Sequence, residues 1–430
     1  MRVNTFPSMN EASATAGKKG NYRVHQFRQL RHFACVFAVI SVAVMGTAHA
    51  AGPLRAEPES LERATPKLIQ ELRADPYDYF RFVNRPWIAR VCDAFGAELP
   101  GLPVVHLHGD AHVEQFAFTQ DSWGLDDFDD SARGPALIDI VRFLGSIDVA
   151  ARKRSWEKDR DRLFDRFFEG YRRGLAEPGY TSGPPDIVLR LRADAKVPAT
   201  RASLLAWGES KMQPMADVTM KNLLAGVEAF AAILRREHPE FGPGYFRVVR
   251  AGWLNIGIGS AVNPKILVRV QGPTDDPADD EILEIKKIAE FDGLGCLETP
   301  ALQPTLRIID GSKQIGRLKR KMLAAGPELV IPGLAARGQH VREWWLQSLE
   351  PSYRLLHLTD LRSVGDLAGI IYDSGVQLGA GHLPDGSAPA GSSERKQALA
   401  ATATFEKRYR TEASKLVDDL LRGWRELGAR

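Results

Sequence analysis

The stretch His106-Leu-His-Gly-Asp-Ala-His-Val-Glu-Gln-Phe116, HLHGDAHVEQF, has two chemical readings. His106, His108, Asp110 and His112 fall at every second position, which is how a strand presents ligands on one face to a metal. "HGD" is also how a phosphotransfer catalytic loop can begin. The apolar PVVHLH reads as a strand leading into the loop. EQFAF followed by SWGLDDFDD reads as a short hairpin turning near Asp121–Gly124.

On the metal reading, three imidazoles and a carboxylate suit zinc or another borderline metal. Metallo-β-lactamase-like hydrolases carry a similar H-x-H-x-D-H run, although here Ala111 separates Asp110 from His112. A cysteine-based zinc site is excluded by count, since the chain holds only Cys35, Cys92 and Cys296, with no C-x-x-C spacing. The phosphotransfer reading asks for an acid/base or orienting carboxylate, a polar side chain downstream that holds a metal, and a second carboxylate on that metal. Asp110, Gln115 and Asp127 stand at suitable intervals for these roles, with Asp129 beside Asp127 in the same acidic run as a further metal candidate. The bland alternative is that Asp126, Asp127, Asp129 and Asp130 form a solvated turn.

A nucleotide also needs a phosphate cradle and a cation. Gly257, Gly259 and Ser260 in GIGS lie between β stretches, and Lys286 in LEIKK follows on a later strand. Glycines let backbone N–H groups approach phosphate oxygens, and a strand lysine can pair with them.

Upstream, apolar residues such as Leu68, Leu72, Phe80, Val83 and Ile88 recur at helical spacing from Pro66 to about Phe95, with a new first turn expected at Pro76. Downstream, GPALIDIVRFLGSIDVAARKR reads as an amphipathic helix, and DVTMKNLLAGVEAFAAILRREHP as a long one. YFRVVRAGWLNIGIGS, PKILVRVQG and DEILEIKKIAEF predict a small antiparallel sheet between about 244 and 290. LTDLRSVGDLAGIIYDSGVQLGAGH and the segment from SERKQ onward are helical by periodicity, joined by the loop LPDGSAPAGSS.

At the N-terminus, Arg23, Arg28 and Arg31 precede an apolar run, Phe33–Met45, and then TAHA-AG, with Ala48 and Ala50 placed as in an A-x-A cleavage site. Residues 1–50 therefore read as a secretory signal peptide cleaved after Ala50, and the mature chain as exported, periplasmic and without a membrane span. The first 50 residues take six of the 57 Lys/Arg and one of the 54 Asp/Glu. The remainder carries 51 and 53, a formal charge of −2. Overall charge thus gives no basis for a nucleic-acid partner. Cys92 and Cys296 can pair in an oxidising compartment, a point their spacing leaves open.

DPYDYFRF, HGDAHVEQFAF, LDDFDDSARGPALIDIVRFLGSIDVAAR, NIGIGSAVNPKILVRV and LEIKK resemble, in this order, the uncharacterised bacterial family called domain of unknown function 2252, from about residue 65 to about 385. That family is similar to the protein-kinase-like fold of aminoglycoside phosphotransferases. The resemblance implies an α+β, two-lobed, kinase-like fold with a mostly helical large lobe. Because the catalytic loop precedes the glycine turn, the lobes would be circularly permuted. The expected division is a helical lobe with catalytic loop and metal-binding hairpin at 51–240, a small β lobe at 241–295 and a C-terminal helical part at 296–430.

By residue, the resemblance implies Asp110 as the catalytic carboxylate and Asp127 as the metal-binding one. Asp139 would hold the catalytic loop, Arg142 would be structural, and Gly257, Gly259 and Lys286 would handle phosphates. It implies ATP and Mg²⁺, a nucleotide partner and an unknown acceptor, for a phosphotransferase or nucleotidyltransferase. Two alternatives stay open. One is a degenerate kinase-like binding protein, suggested by Gln115 where the family has Asn and by Val262 in the glycine turn. The other is a zinc-dependent hydrolase using HLHGDAH.

Overall fold

Thr65 and Asp75 open the first well-formed helices by accepting hydrogen bonds from Leu68 N and Tyr77 N, each followed by a proline at the first helical position. The computed structural model describes residues 52–194, 200–237, 239–240, 242–254, 264–288, 291, 293–298, 305–326, 344–383 and 388–429. The expected signal peptide lies outside the described residues. So do Gly257, Gly259, Ser260 and Val262.

Four helices precede the first strand: α1 (Pro58–Arg63), α2 (Pro66–Ala74), α3 (Pro76–Phe82) and α4 (Asn84–Ala94). The sequence reading has two between Pro66 and Phe95; the chain breaks again at Val83, giving three. Strand β1 (Val104–Leu107) pairs antiparallel with β4 (Ala132–Pro135), with His106 opposite Arg133. Between them lies the expected hairpin, β2 (Phe116–Phe118) and β3 (Trp123–Leu125), whose turn falls slightly earlier, at Thr119–Ser122. A later short strand, β10 (Arg354–Leu355), adds to β2.

Helix α5 (Leu137–Lys153) departs from the amphipathic expectation, because every residue from Leu137 to Ala151 is buried, Asp139, Arg142 and Asp148 included. It is the central post of the helical region, covered by α3, α4, α6 (Arg160–Ala176) and the long α12 (Ser393–Gly428). Helix α11 (Val364–Gly381) lies so close to α6 that backbone meets backbone. A Cβ on Gly174 would sit 2.2 Å from Val376 O, and one on Gly379 would sit 2.1 Å from Tyr171 O. This approach fixes His382, just past α11, beneath the catalytic-loop candidate. Cys92 on α4 and Cys296 are disulfide-bonded, with Cα atoms 5.8 Å apart.

The second region is a five-stranded antiparallel sheet in the order β5-β6-β7-β9-β8. Strands β5 (Val248–Trp253), β6 (Lys265–Val270) and β7 (Glu281–Lys287) are the predicted trio. Strands β8 (Leu323–Ala325) and β9 (Trp344–Ser348) come from the stretch read as C-terminal helix. Alternation sorts their side chains onto two faces. Ile266, Val268, Leu283, Ile285, Trp344 and Leu346 pack with Leu223, Val227 and Ala231 of α9 (Asp217–Glu237). The opposite face carries Lys265, Glu284, Lys286, Trp345 and Gln347. α8 (Arg201–Lys211) covers only its Leu267–Ile282 end. α7 (Asp186–Ala193) and α10 (Leu306–Ile315) complete the described helices. The result is a mixed α+β architecture within one compact unit, Ala51–Arg430. Among the described residues no helix is long and apolar enough to cross a membrane.

Candidate functional site

Strand β1 stops at Leu107, and Gly109 turns the chain with φ 84°. A side chain at Gly109 is strained on that backbone and blocked as well, since its Cβ would lie 1.7 Å from Asp130 O. The buried Asp139 carboxylate clamps the turn, accepting from His108 N at 2.6 Å and Gly109 N at 2.9 Å. Hydrogen bonds from two backbone amides to one carboxylate are charge-assisted. His382 Nε2 lies 3.0 Å from the same Asp139, and Tyr171 Oη 3.0 Å from His382 Nδ1. Asn84 Nδ2 ties the other side, donating to Gly109 O at 3.0 Å and Asp130 Oδ2 at 2.7 Å.

This scaffold aims Asp110. Its Oδ1 accepts from Arg142 Nε at 2.9 Å and lies 2.8 Å from Arg142 Nη2. Among the described residues its Oδ2 faces only Gln115 Nε2 at 3.5 Å and His112 Nε2 at 3.6 Å. Those distances are too long for strong hydrogen bonds, so Oδ2 is the uncommitted oxygen. Burial pushes the Asp110 carboxyl up to about 6, against the pull of Arg142 and Arg81.

The three imidazoles go to separate places. His106 is half-buried on β1, near Arg133 and Asp310. His108 bonds the Asp126 carbonyl through Nε2 at 2.9 Å and lies tilted against Phe128, with ring centroids 4.5 Å apart. His112 is held between Tyr77 and Phe80, and burial keeps it neutral, well below its usual value. The loop, with its left-handed glycine, breaks the strand alternation that would align them. Among the described residues no three His, Cys, Asp or Glu side chains are grouped to hold a metal.

The acidic run is not a solvated turn, because every carboxylate in it meets a partner from elsewhere in the chain. Asp126 pairs with Arg320 and accepts from Tyr353 Oη at 2.7 Å. Asp127 adopts a left-handed backbone, φ 61° and ψ 63°, uncommon for a residue with a side chain. Its Oδ1 meets Lys286 Nζ at 2.6 Å, across 159 residues of sequence. The same ammonium lies 3.4 Å from Asp129 Oδ1, 3.6 Å from Glu284 Oε2 and 5.1 Å from the Trp345 ring centroid. Burial opposes ionisation of Asp127, yet Lys286 and Lys265 hold its carboxyl well below the usual range. Asp129 is pushed well above it by burial and by its ionised neighbour Asp127.

Thus Asp110 is joined to its clamp Asp139 and its partner Arg142, and Asp127 and Asp129 to Lys286. Gln115 directs its amide at Asp110. Several residues of the site escape a motif reading. Asn84 and His382 act through the loop. Glu284 accepts from Gln347 Nε2 at 2.8 Å, and Lys265 stands directly across from Lys286. Only the last two carried a signal, since strand alternation puts Glu284 on the face of Lys286 and a paired register does the same for Lys265.

Asp130 gives a stability test. Burial and the nearby Asp110 push its carboxyl up to about 7. A folded-state value above the unfolded one stabilises fully below about pH 4, and that stabilisation is lost as pH rises towards 7. Asp130→Asn, which keeps an acceptor for Asn84, is expected to match the parent at low pH and exceed it at pH 8. The gap has a ceiling of about 4 kcal/mol, lowered by partial exposure. Thermal melts of both proteins from pH 4 to 8 measure it, and parallel curves would refute the assignment.

Residues 61–203 match the family described as "Uncharacterized protein conserved in bacteria (DUF2252)". The matched span contains the clamped loop, the hairpin and the first part of the helical region, with Asp110, Asp127, Asp139 and Arg142, and it supports the family assignment. No curated protein and no solved structure matches the chain.

Proposed function

We propose that the protein is a kinase-like phosphotransferase that uses a nucleoside triphosphate with Mg²⁺ and is exported to the periplasm. The observation that carries this reading is the 2.6 Å pair between Lys286 on the third strand of the small sheet and Asp127 after the hairpin. Phosphoryl transfer needs a strand lysine on the phosphates and a carboxylate on the metal at one point, beside a carboxylate for the acceptor. The two-lobed, permuted kinase-like arrangement is part of the same proposal. In its support, the lysine strand follows β5 and β6, Gly257 and Gly259 fall between those two in the sequence, and the loop with Asp110 comes earlier in the chain. The Cys92–Cys296 disulfide favours an oxidising compartment.

The donors suit Mg²⁺, which takes oxygen ligands and is commonly held by one or two carboxylates plus substrate phosphates. Asp127 and Asp129 both place an oxygen within 3.4 Å of a single cation, the Lys286 ammonium, and would hold the ion. When bound, Mg²⁺ supplies charge neutralisation at the phosphates. Lys286 binds and orients the phosphate chain. Asp110 Oδ2 accepts the proton of the acceptor hydroxyl as its oxygen bonds the γ-phosphorus and the bridging β–γ P–O bond breaks, the electron pair leaving with the nucleoside diphosphate.

Thermal-shift titration with ATP and Mg²⁺ tests the reading. The parent protein is expected to gain stability with both present, and Lys286→Ala and Asp127→Ala each to lose the gain. A shift surviving both substitutions, or none in the folded parent protein, would remove the proposal.

A further inference from the structure

Lys286 is not the sole ammonium aimed at the acidic pair. In the β6–β7 register Lys265 stands directly opposite Lys286, so the two side chains rise from the same face with Cβ atoms roughly 5 Å apart. Lys286 is 4% exposed and committed to Asp127, Asp129 and Glu284. Lys265 is half-buried, and among the described residues no side chain forms an ion pair with it; its charge acts on Asp127 and Asp129 from a distance. Like charges directly opposite on neighbouring strands repel. The carboxylates offset Lys286, whereas Lys265 faces the same space with its donors unused.

We infer that Lys265 and Lys286 form a two-lysine clamp for consecutive phosphates, which makes the donor a di- or triphosphate chain recognised through the chain itself. Resting on the phosphotransferase reading, this adds a second phosphate-binding residue and a substrate class. A single ammonium satisfies one phosphate. Two on adjacent strands bridge neighbouring phosphates of a chain, with no adenine contact required. The shared chemistry is a polyphosphate, whether it ends in a nucleoside or not.

Calorimetric titration of the purified protein with ATP, AMP and inorganic triphosphate, each with Mg²⁺, tests the clamp. Lys265→Ala is expected to weaken ATP and triphosphate alike, by roughly ten- to a hundredfold for one charge-assisted contact, and to leave AMP within about twofold. Lys265→Arg should recover most of the loss. The unliganded melting temperature should change little, because the repulsion from Lys286 and the attraction to Asp127 and Asp129 are removed together. Equal affinity for ATP and triphosphate identifies a free polyphosphate as sufficient, and tighter ATP identifies a nucleotide. Either supports the clamp when Lys265→Ala weakens both ligands.

If Lys286→Ala removes ATP binding while Lys265→Ala changes nothing, the clamp is wrong and the phosphotransferase reading stands. Failure of the parent protein to bind ATP with Mg²⁺ removes both. A fall in unliganded stability matching the loss of affinity would make Lys265 a structural residue and overturn the inference.

Discussion

Arg142→Ala is expected to lower the unfolding free energy by about 3–5 kcal/mol at pH 8, the usual cost of leaving one half of a buried ion pair unpaired. Arg142 is fully buried, holds Asp110 through Nε and Nη2, donates to Phe80 O at 3.0 Å and lies with Cζ 3.7 Å over the Phe80 ring. Truncation deletes all of these and strands the Asp110 carboxylate. Burial already raises Asp110 to about 6 with its partner in place. Without Arg142 the carboxyl takes up a proton at higher pH than in the parent, so the electrostatic part of the cost shrinks as pH falls towards 6 and is gone below it. Guanidinium unfolding at pH 8 and pH 5 reads both effects. Asp110→Ala added to Arg142→Ala should cost less than the two single changes summed, which a double-mutant cycle measures. A single-variant loss below about 1 kcal/mol at pH 8 would mean that the pair is not formed.

That pair also marks where sequence stops being informative. Asp139 and Arg142 occupy adjacent turns of a helix whose apolar spacing predicts one buried stripe and one wet face. The polar residues turn inward because the HGD loop, α3 and His382 cover them, a fact of tertiary assembly absent from local periodicity. The three strands around Lys286 were legible because β-branched residues alternate with turn signals. By contrast, β8 is three residues long and β9 is Trp-Trp-Leu-Gln-Ser, pairing with β7 across a large sequence separation, so their pattern is too short to rise above the surrounding chain. The acidic run was ambiguous for a different reason. Four aspartates in five positions look alike in composition, yet Arg320, Lys286 and Asn84, drawn from three distant parts of the chain, give them three different environments. Spacing therefore revealed which residue types were gathered. Their division between scaffold and chemistry depended on partners far away.

Asp110→Asn separates those two roles most sharply, and on the proposed chemistry it is expected to lower transfer by about 10²–10⁴-fold with nucleotide affinity little changed. Asparagine can keep an oxygen on Arg142 Nε and Nη2, so the loop, its Asp139 clamp and the Lys286–Asp127 pair stay in place. What it loses is Oδ2, the oxygen that among the described residues faces only Gln115 Nε2 and His112 Nε2, both at long range, and can accept a proton. Because the acceptor is unknown, the readout is slow release of phosphate from ATP with water as the acceptor, measured beside calorimetric ATP affinity. A carboxyl near 6 should also leave its mark on the parent profile. Phosphate release rises with pH as Asp110 ionises and levels off above it, and the asparagine variant lacks that limb. If the variant turns over at the parent rate, Asp110 serves only to anchor Arg142 and the proton acceptor must be sought elsewhere. If affinity falls together with rate, the substitution has disturbed the phosphate side, and the separation of the HGD loop from the lysine face drawn above is wrong.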